Sequence, residues 1–280
     1  MPSSRCGCSI TMTVDSKIFL IAGVDDKSYL MDVWVIDVKE NVLTWVLVEE
    51  STELKGRYTH EAILIDGKIL LLGGGDMEYC ADFKTITAFD INIQQFIQID
   101  TLPDENENFG YPTPRKFHSA VKNNSEIFII GGYSVGTLNN DTENAIIHDD
   151  IWKLSQIIID DNICYKWSKT ESKLKIPLFF HTSAVTPEGC VYTFGGCIDT
   201  KSMYPSNKLQ RFWVQTPGLK QMALFKVLFY NTNLVKKFKN NEIQRLQKLQ
   251  ENNETNEQEV EQNLRELLYT KPNRLNNIIE

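Results

Sequence analysis

The chain has 280 residues, enough for one large domain or two small ones, with 29 Lys and Arg against 37 Asp and Glu, a formal net charge of −8. This negative balance argues against general binding to nucleic acid or to an anionic membrane surface. No apolar run approaches the roughly 18 residues that a membrane-spanning helix needs, and residues 1–5 contain no signal-peptide core.

The six cysteines lack metal-ligand spacing and the density of a disulfide framework. They therefore indicate reduced thiols in an intracellular protein, and we expect the chain in the cytoplasm, the nucleus or both.

One pattern occurs four times along the chain. Each copy has a short β-type segment, a turn, an apolar run followed by a glycine pair (Ala22-Gly23 in the first copy), and an alternating segment that contains an aromatic residue. The copies span about residues 5–50, 57–100, 115–170 and 178–215. The second glycine falls at 23, 74, 132 and 196, with spacings of 51, 58 and 64 residues. Such a period predicts blades of a β-propeller.

The third copy is the clearest. Its apolar run 127–130 predicts a strand that is buried on both faces, and it is followed by Gly131 and Gly132. Residues 150–154 and 165–168 predict a third and a fourth strand. Four antiparallel strands of this size have two apolar faces, so each blade needs a neighbour on both sides.

The fourth copy ends at about residue 215 without a fourth strand. We therefore expect an all-β fold of about four blades, an N-terminally truncated form of a six-bladed propeller, with a closed ring of four blades as the alternative. In an open arc the two end blades would expose apolar faces, which predicts self-association.

Residues after 215 differ in composition. An apolar helix is expected over 216–230, and a polar helical tail over 231–280.

The sequence motifs do not support a catalytic function. His60, His118 and His181 occupy the same position in successive copies, which favours a repeated structural histidine bonded to backbone of the next blade over a metal site. No nucleophile–base set, phosphate loop or zinc-spaced cluster is present. We expect a non-catalytic binding module without metal or cofactor; an oxidase-type propeller enzyme would require a bound metal.

Residues that vary on this repeated frame predict a recognition surface near the propeller axis. The candidate substrate-binding residues are Arg57, Tyr58, Arg115, Lys116, Phe117, Tyr133 and Phe179. The cations would bind a carboxylate and the rings would form apolar walls. The alternative for Arg57 and Arg115 is a structural arginine of the repeat, since Arg5 has the same position.

These motifs, above all 115–119, 130–133, 150–154 and 180–190, resemble the kelch domain-containing family of substrate receptors of cullin-2 ubiquitin ligases. The resemblance implies a kelch propeller that binds substrate C-termini, together with a helix that docks on elongin C. Leu219, Ala223 and Val227 match the spacing of that helix, and Ala223 stands where the family usually has cysteine. The implied partners are elongins B and C, cullin-2, and protein substrates or their C-terminal peptides. A kelch scaffold in signalling or on the cytoskeleton, with no ligase link, is the alternative.

Overall fold

The computed structural model describes residues 1–40, 42–134, 145–201, 203–219 and 222–223. Met1–Val214 form one compact unit, and a second unit begins at Gln215. The first unit contains only β-strands as regular elements within its described residues, so the predicted all-β fold is confirmed.

The strands group into four successive blades. Blade 1 contains β1 (Ser9–Met12), β2 (Lys17–Val24), β3 (Tyr29–Asp37) and β4 (Val46–Glu50). Blade 2 contains β5 (Glu61–Ile65), β6 (Lys68–Leu72), β7 (Thr85–Asp90) and β8 (Gln95–Leu102). Blade 3 contains β9 (Ser119–Asn123), β10 (Glu126–Ile130), β13 (Asp150–Ile159) and β14 (Asn162–Lys173), with the short pair β11 (Tyr133–Ser134) and β12 (Ile146–Ile147) inserted between β10 and β13. Blade 4 contains β15 (Phe179–Val185), β16 (Cys190–Cys197) and β17 (Leu209–Trp213).

Within each blade, neighbouring strands are antiparallel and follow chain order from the inner to the outer edge. Side chains alternate between two faces. We call the face toward the preceding blade the back face and the face toward the following blade the front face. The apolar runs have no polar alternation because each middle strand is covered on both faces.

Three apolar cores join the blades in sequence. The first joins the front of blade 1 to the back of blade 2 and includes Phe19, Ile21, Val33, Ile69, Leu71 and Phe89. The second joins blades 2 and 3 and includes Leu70, Leu72, Ile86, Ile127, Ile129 and Trp152. The third joins blades 3 and 4 and includes Phe128, Ile130, Ile151, Val191 and Phe212. Among the described residues no such core joins blade 4 to blade 1, so the blades form an open arc rather than the closed ring of four.

Blades 2 and 3 are also joined at their outer edge. Strands β8 and β14 pair in parallel, with Tyr165 opposite Thr101 and Lys166 opposite Leu102. The buried Trp167 donates its indole N–H to the carbonyl oxygen of Phe83 at 2.9 Å. These contacts merge two blades into one continuous sheet of eight strands.

Little of the second unit is described. Its described residues include one helical turn, in which the N–H of Met222 donates to the carbonyl oxygen of Gly218 at 3.0 Å. Val227 and the tail predicted over 231–280 lie outside the described residues, as do residues 135–144 of the acidic loop in blade 3.

Candidate functional site

One residue per blade, at the start of the inner strand or two residues before it, has a left-handed backbone. Gly7, Thr59, Phe117 and Phe180 have φ values of 62, 55, 55 and 58°. Their peptide groups form a ladder across the arc: the N–H of Thr59 donates to Gly7 at 2.8 Å, that of Phe117 to Thr59 at 3.3 Å, and that of Phe180 to Phe117 at 2.9 Å. A left-handed conformation is unfavourable for a bulky residue. The inter-blade hydrogen bonds therefore hold these residues side by side at the innermost layer, which we call the hub.

The hub lies at the end of each blade where its second strand leads into the connection to the third. The residue before each ladder position pairs with the residue after the glycine pair. These pairs are Cys6–Val24, Tyr58–Gly75, Lys116–Tyr133 and Phe179–Cys197. Positions that vary between blades are thereby collected on one surface.

Six aromatic side chains from the four blades are in contact at the hub, and we call them the hub aromatic cluster. They are Tyr29, Tyr58, Phe117, Tyr133, Phe179 and Phe180. Phe117 is central, since its ring centroid lies 3.9 Å from that of Phe180 and 5.7 Å from that of Tyr58. Phe179 is buried, whereas Phe180 is 49% exposed. The cluster therefore presents both a rigid base and accessible aromatic surface.

Lys116 places a buried positive charge beside this cluster. Its side-chain amine donates to the carbonyl oxygen of Asp76 at 2.5 Å and lies 5.9 Å from the ring centroid of Tyr58. Lys116 is only 5% exposed, and no carboxylate of the described residues lies within 4 Å of it. A desolvated ammonium without a counter-ion favours binding of an anionic group.

Arg57 is a second buried cation without a carboxylate partner within 4 Å among the described residues. One guanidinium nitrogen donates to the hydroxyl of Thr87 at 2.9 Å, and the Nε of Arg57 has no acceptor within the described part of the chain. Burial lowers the pKa of Arg57 from its usual value. Burial also raises the pKa of the neighbouring Cys80 to about 11, although the charges of Lys116, Arg115 and Arg57 oppose that rise.

Arg115 differs from Arg57 because its charge is already paired. It is fully buried and binds both carboxylate oxygens of Asp150, at 2.5 and 3.4 Å, as well as the carbonyl oxygen of Gly131. Burial raises the pKa of Asp150, but the charge and hydrogen bonds of Arg115 outweigh it and lower that pKa to about 2. Arg115 therefore has the structural role that the sequence left as the alternative, and we remove it from the candidate ligand set.

The same arrangement occurs in blade 1, where Arg5 binds both oxygens of Asp32. The indole N–H of Trp34 donates to the same carboxylate at 2.7 Å. In blade 2, threonines replace both the aspartate and the tryptophan. Arg57 therefore has the same position as Arg5 and Arg115 but no aspartate to pair with there. Sequence comparison of the copies could have found this difference.

The repeated histidines are buried and belong to the frame. The sequence predicted that these histidines bond to backbone of the next blade. Instead, the Nε2 atom of His60 lies 2.9 Å from the hydroxyl oxygen of Ser9, a side chain of the preceding blade. Burial lowers the pKa of His60 to about 3 and that of His181 to about 4. Gly73 leaves room for the next blade's ring, because a Cβ at this position would lie 2.7 Å from Cε1 of His118.

The described residues group no three His, Cys, Asp or Glu side chains in a way that could hold a metal ion. The described part of the chain also has no helix with the length and hydrophobicity needed to cross a bilayer.

The structure therefore brings together Tyr58, Lys116, Phe117, Tyr133 and Phe179 of the predicted surface. It adds Tyr29 and Phe180, which the sequence analysis had not included. Phe180 could have been found from the sequence, since it stands one residue before His181 as Phe117 stands before His118. Nothing comparable marks Tyr29, which reaches Tyr58 from the third strand of blade 1.

The predicted elongin-contact residues are described only in part. Leu219 is 82% exposed, and Ala223 is also exposed in the same short helical segment.

The blades are similar in sequence to regions of known proteins. Residues 1–132 match the model of the KLHDC2/KLHL20/DRC7 Kelch-repeats domain. The chain is 33% identical over 248 residues to the Kelch domain-containing protein 10 homolog of Drosophila melanogaster. It is 28% identical to Kelch domain-containing protein 10 of Rattus norvegicus over 237 residues and of Homo sapiens over 229 residues. This chain is a kelch-repeat protein.

These kelch relatives are longer than the matched segment. The alignments cover 84%, 83% and 79% of this chain, but only 39%, 53% and 47% of the fly, rat and human proteins. The chain thus spans about half the length of the curated relatives it matches.

Proposed function

We propose that this kelch-repeat chain is the substrate-recognition subunit of a cullin-RING ubiquitin ligase and binds a segment of its substrate at the hub. The observation that supports this role best is the hub aromatic cluster beside Lys116. Aromatic surface next to an unpaired cation suits a peptide that presents an apolar side chain and a carboxylate. Kelch blades commonly serve as interaction modules rather than as enzymes.

A terminal carboxylate of the substrate would be the preferred anion. Lys116 would bind it through a charge-assisted hydrogen bond, while Tyr58, Phe117 and Tyr133 contact the residues before it. Arg57 would contribute long-range attraction, because its charge is also uncompensated by any described carboxylate within 4 Å. The net charge of −8 makes a local basic site more selective, since the rest of the surface repels anions.

The ligase role rests on Leu219, Ala223 and Val227, which are spaced to share one face of a helix and would dock on elongin C. Leu219 has the exposure that a docking anchor requires. Cullin-2 would join through the elongins, and the protein would act in the cytoplasm, the nucleus or both.

Co-purification of the intact chain with elongins B and C tests the proposal. We expect a stoichiometric complex that Leu219→Asp abolishes. Ile158→Asp is the matched control, because Ile158 is similarly exposed at 77% but lies on the outer part of blade 3. If the intact chain does not bind elongins, the ligase role is wrong. Peptide binding at the hub without elongin binding would favour a kelch scaffold in signalling or on the cytoskeleton instead.

A further inference from the structure

Blades 1, 2 and 3 each have an arginine at the same position, at residues 5, 57 and 115. In blades 1 and 3 its guanidinium binds both carboxylate oxygens of an aspartate, Asp32 on β3 and Asp150 on β13. The tryptophan two residues after the aspartate donates its indole N–H to the same carboxylate, at 2.7 Å in blade 1 and 2.8 Å in blade 3. Arg5 and Arg115 are therefore neutralised by a carboxylate that other hydrogen bonds hold in place.

Blade 4 has none of the three members of this arrangement. Leu178 has the position of the arginine. The pairing of β16 with β17 places Lys208 and Gln210 at the positions that Asp150 and Trp152 have in blade 3. The arginine, the aspartate and the tryptophan are thus all replaced in this blade, so that no arginine is left without a carboxylate.

Blade 2 differs from the other three because it has the arginine without the aspartate. The pairing of β6 with β7 places Thr85 and Thr87 at the positions of Asp150 and Trp152. Arg57 is buried and donates to the hydroxyl of Thr87, while its Nε has no acceptor and no carboxylate lies within 4 Å of it, both among the described residues. A guanidinium that is withdrawn from water with a donor unused favours an anionic partner.

Two aspartates of blade 2 contact Thr85 but do not reach Arg57. Asp82 accepts the backbone N–H of Thr85 at 3.2 Å, and Asp100 accepts its hydroxyl at 2.7 Å. Neither carboxylate lies within 4 Å of Arg57. Thr85 is exposed, and in blade 3 the side chain of Asp150 at the same position is 16% exposed. The position of the missing carboxyl group therefore borders solvent, from which an ion can enter.

We infer that Arg57 binds a small monovalent anion, such as chloride or formate, where blades 1 and 3 have an aspartate carboxylate. The guanidinium would donate to the anion through its Nε and a terminal nitrogen, while the hydroxyl of Thr87 keeps its bond from Arg57. The anion would neutralise Arg57 as the aspartates neutralise Arg5 and Arg115. It has to be small, because it takes the place of a single carboxyl group.

Thermal unfolding of the intact chain in three sodium salts of equal ionic strength tests this site. The salts are the chloride, the formate and the gluconate, whose anion is too bulky to replace a carboxyl group. An anion present at about twice its dissociation constant roughly triples the ratio of folded to unfolded protein. The thermal midpoint should therefore be about 1 to 3 °C higher than in gluconate. A rise in formate alone would assign the site to carboxylates, and a rise in both salts to small anions in general.

A carboxylate built into blade 2 should make the anion unnecessary. Thr85→Asp places a carboxylate at the position that Asp150 has in blade 3, and Asp100→Asn removes the like charge opposite it. The double variant should unfold at the same midpoint in all three salts. Asp100→Asn alone should keep the difference between salts, whereas Arg57→Leu should lose it because the cation is gone.

Controls separate binding at Arg57 from general effects of salt on the protein. Lys122→Met removes the charge of an exposed lysine and should keep the whole difference between salts. A cooperative transition shows that each variant is folded. Equal midpoints of the intact chain in all three salts would overturn the inference. A folded Arg57→Leu variant, or a folded double variant, that keeps the full difference would also overturn it, because the anion would then bind elsewhere.

Discussion

The side-chain amine of Lys116 lies 5.9 Å from the ring centroid of Tyr58, and the two residues have the same position in successive blades. The repeated backbone thus brings unlike side chains from equivalent positions into contact at the hub. Cys6 and Phe179 have this position in blades 1 and 4. Ligand chemistry at the hub is therefore decided by a few variable residues on a constant frame, and Lys116 supplies the cation of this position.

Replacing Lys116 with Met should weaken peptide binding without destabilising the fold. A charge-assisted hydrogen bond contributes about 1.5 to 3 kcal/mol, so affinity for peptides with a free carboxyl terminus should fall roughly 10- to 100-fold. The thermal midpoint should stay or rise, since a buried ammonium without a carboxylate carries a desolvation cost. Fluorescence anisotropy with a peptide pool, free or amidated at its C-terminus, measures the effect.

Lys122→Met is the control for this experiment. Lys122 also donates to a backbone carbonyl of the preceding blade, that of Leu64 at 2.8 Å, but it lies on an exposed part of β9. It should leave both affinities unchanged. Equal loss of free and amidated peptides on Lys116→Met would contradict the role of Lys116 as a carboxylate ligand.

Arg115→Leu should destabilise the protein far more than Arg57→Leu, although both arginines have the same position in their blades. Loss of Arg115 leaves the carboxylate of Asp150 without its partner and should cost about 3 to 5 kcal/mol. Loss of Arg57 leaves no carboxylate of the described residues without its partner and should cost about 1 kcal/mol or less. Blade 4 already has Leu178 at this position. Urea unfolding of the two variants should show this difference; equal costs would show that both arginines act alike.

The sequence predicted much of the fold because the repeated pattern is most regular at the positions where neighbouring blades pack tightly against each other. Apolar runs such as 127–130 are buried on both faces, and a Cβ added at Gly73 or Gly131 would lie 2.7 or 2.9 Å from the Cε1 atom of the next blade's histidine. The candidate site was less predictable. Arg57 and Arg115 have the same position in the repeat, and their different pairing is seen only when the residues opposite them, Thr87 and Asp150, are compared between the copies as well. Tyr29 reached the cluster through tertiary contact that no local pattern encodes.

Glu61→Gln should stabilise the protein at pH 8 but not at pH 4.5. Burial raises the pKa of Glu61 to about 7 from about 4.5. The folded state therefore binds the carboxyl proton of Glu61 more tightly than the unfolded state does. The contribution of Glu61 to folding stability is favourable below pH 4.5 and is lost as the pH rises through about 7. Glutamine cannot ionise, so we expect a gain of about 1 to 3 kcal/mol at pH 8 relative to wild type.

Urea midpoints of both proteins from pH 4.5 to 8 measure this gain. Burial lowers the pKa values of His60 and His181, so their contribution to the stability of the folded protein is lost as the pH falls below about 6.5. That loss is common to both proteins and cancels in their difference. A constant difference across the pH range would show that Glu61 is not held in its neutral form by the fold.

Gly73→Ala should destabilise the junction of blades 2 and 3 by more than its backbone conformation alone accounts for. Gly73 has φ of +58°, and a Cβ there would lie 2.6 Å from the carbonyl oxygen of Arg115 and 2.7 Å from Cε1 of His118. Gly110→Ala is the matched control, since Gly110 has φ of +62° with no atom within 4 Å of the added Cβ. The control should cost about 1 to 2 kcal/mol from the left-handed backbone, and Gly73→Ala about 3 kcal/mol or more because the ring and the backbone must move apart. Thermal and urea unfolding compare the two, and similar costs would show that the close approach of His118 to Gly73 contributes nothing to how the blades pack.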